Sequence, residues 1–316
     1  MPDLRLGILL WSQASGWPEM LEAARRIDRL GYDHLWTWDH LYAVMGDPYQ
    51  PIFEGYSLLS AWAMATDRVK LGLLVGANTF RNPGLVAKIA TTLDHISQGR
   101  AIVGMGGAWF ELEHTAHGLQ FGTGFGQRLD WLDESVGSIR KVLDGETVSS
   151  QPGAHYRFDD LRHHPRPVQP HMPIMIGGTG EKKTLRTVAR YADSWNATGT
   201  PEFLKHKDEV LREHCLAVGR DERQITRTVD TCLLIRDSKK EALAAWELIM
   251  NRNKVPRDKW DGPEALWLGT AEEIADEIRS RIKVGFETLI VEMPAPYDPE
   301  TLERLIGEVK PMVDAG

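Results

Sequence analysis

The stretch that decides the fold runs from 71 to 113, and it contains LGLLVGANTFRNP (71–83) and SQGRAIVGMGGAWFE (97–111). Each of these two segments holds a short apolar run followed by a polar, glycine-rich loop, and an amphipathic run joins them. This order predicts a strand–helix–strand unit whose two strands end in unusual residues. Where such units repeat, ligands bind at the carboxyl ends of the strands. The stretch therefore predicts where the active site lies.

The same alternation of apolar and amphipathic segments extends over the whole chain. The predicted strands are 4–11, 32–38, 69–75, 101–105, 173–176, 193–197, 227–235 and 287–292. The predicted helices are 17–30, 56–65, 83–97, 128–143, 181–191, 201–218, 238–250, 270–284 and 298–313. The strands are apolar runs, which is typical of strands covered on both faces. This α/β order predicts a closed (β/α)8 TIM barrel, with a doubly wound open sheet as the alternative. No Gly-x-Gly-x-x-Gly occupies a first strand–helix turn, which argues against a dinucleotide-binding Rossmann fold.

No segment has the composition of an interdomain linker, so we expect residues 1–316 to form one domain with insertions near 145–162 and 251–268. The first insertion is predicted to be a small hairpin that carries Tyr156 and Phe158. The second is predicted to be irregular because it is rich in Trp, Pro and Gly. Its composition fits a substrate lid and fits a subunit interface equally well.

Composition narrows the class of protein. The net charge of −8, from 37 basic and 45 acidic residues, argues against a nucleic-acid partner, which needs a basic face. No apolar run reaches the roughly 18–20 residues that cross a bilayer, and the N-terminus lacks the apolar core of a signal peptide. Cys215 and Cys232 are not at metal-ligand spacing. We therefore expect a cytoplasmic protein with reduced thiols, no membrane partner and no metal.

Asp39 and His40 follow the second predicted strand. At the catalytic end of a barrel, a histidine can donate or accept a proton near pH 7, and an adjacent aspartate can fix its tautomer. The alternative is a loop histidine that only caps the strand end. The same loop offers Glu54 as a further candidate, with a solvated surface residue as the alternative.

The third and fourth predicted strands end in glycine-containing loops. Gly76 would let a planar ring approach the backbone, and Asn78 could hydrogen-bond a ring carbonyl or a ribityl-type hydroxyl. The glycines of 104–108 would offer N–H groups that no side chain obstructs. The alternative for both loops is a tight turn that lets the next helix pack.

The loop 177–180, Gly-Gly-Thr-Gly, leads into a predicted helix. Free N–H groups and the positive end of the helix dipole make such a loop a phosphate site. Thr179 adds a hydroxyl donor, and Lys182 and Lys183 add positive charge. The alternative is a simple helix cap. No Gly-Lys-Ser/Thr follows, so the loop is not a Walker A motif.

Several tryptophans stand at predicted strand ends, where flat side chains could enclose a planar ligand. They are Trp11, Trp36, Trp38, Trp109 and Trp195.

Taken together, four strings resemble the bacterial luciferase-like superfamily, and the resemblance covers about residues 4–310. They are YDHLWTWDH (32–40), LGLLVGANTFRNP (71–83), TLDHISQGR (92–100) and PIMIGGTGEKKTL (173–185). Within that superfamily the chain is most similar to the branch of coenzyme F420-dependent oxidoreductases. The resemblance implies a (β/α)8 barrel with the cofactor ring at its carboxyl end. It also implies a non-proline cis peptide bond between Leu74 and Val75, in a bulge that supports one ring face.

The resemblance implies coenzyme F420 as the cofactor, with FMN as the alternative. The implied cofactor contacts are Asp39, His40, Leu74, Val75, Gly76, Ala77, Asn78, Gly106, Gly107, Gly177, Gly178, Thr179 and Gly180. One departure concerns the sugar-phosphate dehydrogenases of this branch, which carry a catalytic carboxylate just after strand four. This chain has Trp109 at the matching place, which argues against glucose-6-phosphate as the substrate.

Trp11, Trp38 and Trp109 therefore predict an apolar pocket with planar walls, and His40 remains the candidate catalytic acid or base. The predicted activity is hydride transfer between C5 of the deazaflavin and an unidentified small organic molecule. An FMNH2-dependent monooxygenase that uses O2 is the nearest alternative. A non-catalytic flavin-binding protein is the alternative of a different class. A homodimer is expected because dimers are usual among relatives.

Overall fold

The structure is a computed structural model that describes residues 4–315. Its strands are β1 Arg5–Leu10, β2 His34–Thr37, β3 Lys70–Leu73, β4 Gly76–Ala77, β5 Ala101–Gly106, β6 Ile174–Gly177, β7 Ser194–Ala197, β8 Thr226–Ile235, β9 Leu266–Gly269 and β10 Thr288–Met293.

The α-helices are α1 Trp17–Leu30, α2 Gly55–Ala65, α3 Pro83–Ile96, α4 Glu111–Ala116, α5 Phe125–Asp144, α6 Thr184–Tyr191, α7 Pro201–Ala217, α8 Lys239–Arg252, α9 Ala271–Ile282, α10 Pro299–Arg304 and α11 Lys310–Ala315. A π-helical turn, Leu305–Val309, joins the last two. No helix within residues 4–315 is long and apolar enough to cross a membrane.

The strands form a closed parallel barrel. The order of hydrogen-bonded neighbours is β10, β1, β2, β3, β5, β6, β7, β8, and β8 pairs with β10 to complete the circle. The short β4 continues the line of β3 along β5. β9 pairs only with the distal half of β8, outside the circle. The closed barrel confirms the predicted (β/α)8 fold, and the open-sheet alternative is wrong.

Two apolar layers surround the strands. One lies between the strands and the helices. The other fills the barrel interior and includes Leu9, Trp36, Ile102 and Ile290. Strands covered on both faces need apolar residues at successive positions, which explains the continuous apolar runs of the sequence.

The structure differs from the predicted elements in five places. β3 ends at Leu73, two residues early, before a bulge. The helix α4 was not predicted, and α6 begins at Thr184, three residues later than predicted. β9 lies in a segment predicted to be irregular, where tertiary pairing with β8 supplies the strand. The predicted hairpin of the first insertion reduces to one antiparallel bridge between Val148 and Leu161.

Candidate active site

A cavity of about 550 Å³ opens at the carboxyl end of the barrel strands. Most of the predicted site residues line it. They are Trp11, Trp38, Asp39, His40, Leu74, Val75, Gly76, Ala77, Gly106, Gly107, Trp109, Gly177, Gly178 and Thr179. Asn78 and Gly180 do not. The amide of Asn78 is fully buried behind the wall, where its Nδ2 donates to the carbonyl oxygen of Arg128 at 3.2 Å.

The bulge between β3 and β4 forms one wall of the cavity, and its Leu74–Val75 peptide bond is cis, as expected. Glycines on the neighbouring strands make room for this bulge. A Cβ atom on Gly104 would lie 1.7 Å from the carbonyl oxygen of Leu73. A Cβ atom on Gly106 would lie 2.5 Å from Cγ2 of Val75. Gly104 and Gly106 are therefore required, because the bulge comes too close to them to leave room for a Cβ atom.

Asp39 holds this bulge in place. Its buried carboxylate accepts two hydrogen bonds from Arg81, at 2.8 and 3.0 Å, and one from the backbone N–H of Ala77 at 2.9 Å. Arg81 also donates to Glu54 at 2.8 Å. Burial alone would lower the pKa of the Arg81 guanidinium, but the charge and hydrogen bonds of Asp39, together with Tyr56 and Glu54, outweigh burial and raise that pKa.

Two predictions are corrected here. Asp39 does not fix the tautomer of His40, because its oxygens are engaged by Arg81 and Ala77. Glu54 is not a plain surface residue. Its carboxylate accepts from the N–H groups of Tyr56 and Ser57 at the start of α2. A carboxylate at a helix N-terminus satisfies donors that have no partner within the helix.

Glu113 is the residue that orients His40. Nδ1 of His40 lies 2.9 Å from Oε1 of Glu113, and Oε2 of Glu113 accepts from the N–H of Leu41 at 2.8 Å. Because an ionised carboxylate only accepts, this pairing places the proton of neutral His40 on Nδ1. Nε2 has no hydrogen-bond partner within residues 4–315. That nitrogen is left to exchange a proton with a ligand.

Sequence reasoning assigned no role to Glu113 because it did not predict α4. The helix begins at Glu111 directly after the glycine-rich end of β5, and it carries Glu113 on its first turn to the cavity wall. Acidic residues favour the first turn of a helix, so the Glu-x-Glu of 111–113 was the available signal.

Aromatic side chains form the apolar part of the wall. The rings of Trp11 and Trp38 lie 4.9 Å apart, and the ring of Trp109 lies 5.6 Å from that of His40. Trp109 is 60% exposed and Phe125 is 52% exposed, both at the cavity. The other two strand-end tryptophans, Trp36 and Trp195, are fully buried in the core and do not line the cavity.

The loop 177–180 lies beside the bulge. Trp195 fixes it by donating to the carbonyl oxygen of Gly178 at 2.8 Å, and the N–H of Gly178 donates to Asn196 at 3.0 Å. The N–H groups of Thr179 and Gly180 have no partner in the described chain. These free donors, together with the Thr179 hydroxyl, fit a phosphate.

The adjacent helix and the two lysines contribute less positive charge to the loop 177–180 than predicted. The helix α6 begins only at Thr184, so a turn separates it from the loop. Lys183 donates to Asp130 at 2.7 Å and to the carbonyl oxygen of Gly126 at 2.9 Å, and Lys182 is exposed. The donors that this loop offers to a ligand are therefore its backbone N–H groups and the Thr179 hydroxyl.

A carboxylate pair that sequence reasoning missed lies on another part of the wall. Glu292, in β10, accepts from Nε1 of Trp11 at 3.1 Å and adjoins Asp230 of β8. Asp230 accepts from Asn196 at 2.8 Å and from Thr198 at 2.6 Å. Burial and the negative charge of Asp230 raise the pKa of Glu292 well above its usual range. For Glu292 and Asp230 alike, the signal available in the sequence was an acidic residue inside an otherwise apolar strand.

The second insertion covers this part of the cavity. Asp261 and Ala265 line the wall, and Trp260 packs against the inner apolar layer. The two cysteines are free thiols, and Cys232 also lines the cavity. Within residues 4–315, no group of three or more Asp, Glu, His or Cys residues is arranged to hold a metal ion.

Flat aromatic walls, an open bulge and free N–H donors in one cavity fit a planar ring that carries a phosphate. Comparison with known proteins agrees with this. The sequence matches the luciferase-like monooxygenase family model over residues 7–288. An uncharacterized protein of Mycobacterium tuberculosis is 31% identical over 175 residues, which are 55% of this chain and 60% of that protein. This alignment therefore spans less than two thirds of the relative.

Two further proteins are similar over nearly their full length. An F420-dependent glucose-6-phosphate dehydrogenase of Microbacterium testaceum is 30% identical over 332 aligned positions, covering 96% of each chain. The structure of the monooxygenase RslO1 from Streptomyces bottropensis superposes with a TM-score of 0.81 at 22% identity, covering 98% of this chain and 99% of that one. These two similar proteins are an oxidoreductase and a monooxygenase. The chain belongs to the luciferase-like monooxygenase family.

Proposed function

We propose that this protein is a coenzyme F420-dependent oxidoreductase that acts on a small organic molecule. The observation that carries the proposal is the cavity that joins the bulge 74–77, His40 and the loop residues 177–179. The similarity of nearly the whole chain to an F420-dependent dehydrogenase supports F420 over other ring cofactors. When bound, the deazaflavin would supply hydride transfer at its C5.

The chain's own residues would bind and orient the cofactor and would exchange the proton that accompanies hydride transfer. The bulge, held by Asp39 and Arg81, would support the ring, and the loop N–H groups of Thr179 and Gly180 would hold the phosphate. His40 would exchange the accompanying proton through Nε2, since Glu113 fixes the hydrogen on Nδ1. The aromatic walls would exclude water from the reacting atoms.

The substrate is proposed not to be a sugar phosphate, although the Microbacterium relative is named for one. Among the described residues that line the cavity there is no Lys or Arg. A phosphate-bearing substrate would therefore meet several carboxyl groups and no cationic side chain. A homodimer in the cytoplasm remains our expectation, and sizing by light scattering would test the dimer.

An FMNH2-dependent monooxygenase is the second candidate. The similarity of the fold to a monooxygenase at a TM-score of 0.81 supports it. The two cofactors share the tricycle, the ribityl chain and the first phosphate, so the bulge and the loop fit either one. F420 continues into an acidic tail, and beyond the loop the exposed Lys182 is free to contact it, whereas Lys183 already pairs with Asp130.

The test is to titrate purified protein with oxidised F420 and with FMN separately, following the fluorescence of each ring. We expect saturable, micromolar F420 binding and weaker FMN binding. Micromolar FMN binding without F420 binding would overturn the main proposal in favour of the second.

Turnover separates an enzyme from a carrier. With a substrate identified by screening carbonyl compounds and alcohols against F420 reduction or oxidation, His40→Ala is expected to lower kcat about 10²- to 10⁴-fold. Unchanged F420 affinity in the same variant would show that the fold and ring site are intact. Cofactor binding with no turnover of any compound screened would instead favour a non-catalytic flavin-binding protein.

A further inference from the structure

The cavity wall has two chemically distinct parts. Cofactor-type contacts cluster at the bulge and the loop 177–180, beside the aromatic side chains. The other part consists of polar groups from the barrel strands β7 and β8, from β10 and from the second insertion. They are Asn196, Thr198, Asp230, Thr231, Cys232, Asp261 and Glu292. Nothing in the proposed cofactor binding uses this part, which we name the acidic wall.

The acidic wall holds negative charge that no cationic side chain within residues 4–315 neutralises. Glu292 receives one hydrogen bond from Trp11, and Asp230 receives hydrogen bonds from the neutral groups of Asn196 and Thr198. Asp261 adds a third carboxyl group nearby. Elsewhere at the cavity, Asp39 has Arg81 as its partner and Glu113 has His40. Asp39 thus has a cationic partner and Glu113 has a ring N–H donor, whereas the carboxyl groups of the acidic wall have no cationic partner among the described residues.

Glu292 and Asp230 adjoin on the neighbouring strands β10 and β8, where two negative charges repel each other. Burial and the charge of Asp230 therefore raise the pKa of Glu292. A negative charge without a counter-charge in this half-buried place is costly for the protein. Its position on an open cavity means that a ligand can provide the missing partner.

Independent features show that a ligand with an apolar body belongs in the same cavity. Trp109 and Phe125 are large apolar side chains that remain more than half exposed at the cavity. Trp11 and Trp38 add planar surface, and Trp11 contacts the acidic wall directly. A molecule whose apolar part covers the rings of Trp11 and Trp38 would bring its polar end to Glu292.

We propose that the acidic wall binds a protonated amine of the substrate, and that the substrate class is therefore an aromatic or otherwise apolar amine. The proposal deepens the proposed function and rests on it only in treating the occupant as the substrate. The cationic nitrogen would donate to Asp230 and Glu292, as in a buried ion pair with several acceptors. Anions such as carboxylates and phosphates would be rejected by the same charge.

Amine binding should release a proton. The cation favours the ionised form of Glu292, whose pKa burial and the charge of Asp230 raise, so Glu292 loses its proton as the amine binds. Affinity should therefore rise with pH, by up to about tenfold per pH unit for one proton released, as long as the amine stays protonated. The ionisable groups that face Glu292 are Asp230 and Cys232 from β8 and Asp261 from the second insertion. The indole of Trp11, one residue after β1, faces it as a neutral hydrogen-bond donor.

The test uses isothermal titration calorimetry of the purified protein with benzylamine, and with benzyl alcohol and benzoate as neutral and anionic probes of similar shape. We expect benzylamine to bind at least tenfold more tightly than benzoate. Titrations in two buffers of different ionisation enthalpy should show release of between half a proton and one proton. Benzoate binding equal to or tighter than benzylamine binding, or no proton release, would overturn the proposal.

Matched variants locate the effect. Glu292→Gln should lower benzylamine affinity at least fivefold and abolish proton release, while its circular dichroism spectrum stays that of the parent. Glu287→Gln is the control, because it makes the same charge change on an exposed residue just before β10, at the opposite end of the barrel. Equal loss of affinity in both variants would mean that general charge, and not the acidic wall, attracts the amine.

A last arm separates this proposal from the cofactor proposal. Benzylamine should still bind after the protein is saturated with F420, because the acidic wall and the loop 177–180 are different parts of the cavity. Competition between the two would overturn the assignment of the acidic wall to the substrate. If F420 does not bind at all, the proposed function fails, while the charge preference and the proton release remain measurable.

Discussion

Asp39 and Glu292 border the same cavity at strand ends, yet their surroundings differ completely. Asp39 accepts three hydrogen bonds, two of them from the guanidinium of Arg81. Glu292 accepts one, from the neutral indole of Trp11, and adjoins another carboxyl group. The first carboxylate is saturated by the protein and fixes a backbone segment. The second is left with capacity for a ligand. The difference teaches that the nearest cation, and not the carboxyl group itself, separates a structural acid from a binding acid.

Replacing Arg81, the cationic partner of Asp39, should have the largest effect on the stability of the protein. Arg81→Leu leaves Asp39 buried without a counter-charge, which typically costs about 3–5 kcal/mol. We expect the free energy of unfolding, measured by urea denaturation, to fall by that order. Arg81→Lys keeps the charge but loses the two-pronged contact, and it should lose less. A loss below about 1 kcal/mol in the leucine variant would show that the pair behaves as a surface ion pair.

Replacing Glu292 should raise the free energy of unfolding, whereas replacing Arg81 should lower it. The pKa of Glu292 is raised in the folded protein above its ordinary value of 4.5. At pH values between 4.5 and the raised pKa, Glu292 keeps a proton in the folded state that it has lost in the unfolded chain. The free energy of unfolding therefore falls as the pH rises through this range. Glu292→Gln removes this cost and should stabilise the protein by about 0.5–2 kcal/mol at pH 8.

The pH profile supplies the control for this variant. At pH 4 the parent and Glu292→Gln should unfold at nearly the same urea concentration, because the glutamate is then protonated in both states. A variant that is less stable than the parent at pH 8 would contradict the comparison, since it would mean that the protein itself stabilises the ionised carboxylate.

Glu113 tests the comparison at a third acid, whose partner is His40. In Glu113→Gln the amide can donate as well as accept, so it does not require a hydrogen on Nδ1 of His40. The population of the Nδ1–H tautomer should therefore fall. Long-range ¹H–¹⁵N NMR spectra of the ring, assigned with His40→Gln, would measure it at a pH where the ring is neutral. The fully buried His114 donates to the carbonyl oxygen of Phe110 and provides an internal control. An unchanged tautomer at His40 would remove Glu113 as the orienting group.

Thiol reactivity should give the smallest effect. Burial and the neighbouring carboxyl groups raise the pKa of Cys232 well above its usual value, and burial raises that of Cys215. Both should react slowly with a disulfide reagent in the native protein. In the Asp230→Asn, Glu292→Gln double variant Cys232 should react several-fold faster, because its negative neighbours are gone, and Cys215 should not change. Equal acceleration of both would indicate loosening of the fold.

The barrel could be predicted because its strands are buried on both faces and read as apolar runs between amphipathic helices. The cavity residues at strand ends could be predicted for the same reason, since parallel strands bring their carboxyl ends to one edge. Of the predicted site residues, Asn78 and Gly180 do not line the cavity. Asn78 comes one residue after β4, and its amide is turned into the buried wall.

The missed residues have a common cause. Glu113 lies on a one-turn helix too short to show a period, and Asp230 and Glu292 stand inside strands that otherwise read as core. Sequence spacing says nothing about their meeting, because closure of the barrel brings β8 beside β10. A charged residue inside a doubly buried strand is nonetheless a readable signal, since burial of an unpaired charge is costly.

The sequence by itself determined the barrel, its catalytic end and the glycines of the bulge, because local periodicity and backbone space are encoded residue by residue. Only the tertiary structure decided which acid meets which base. Asp39 pairs with Arg81 and not with His40, Glu113 takes the histidine, and Glu292 meets only another acid. Electrostatic interactions depend on distance and burial in space, and neither is set by position along the chain.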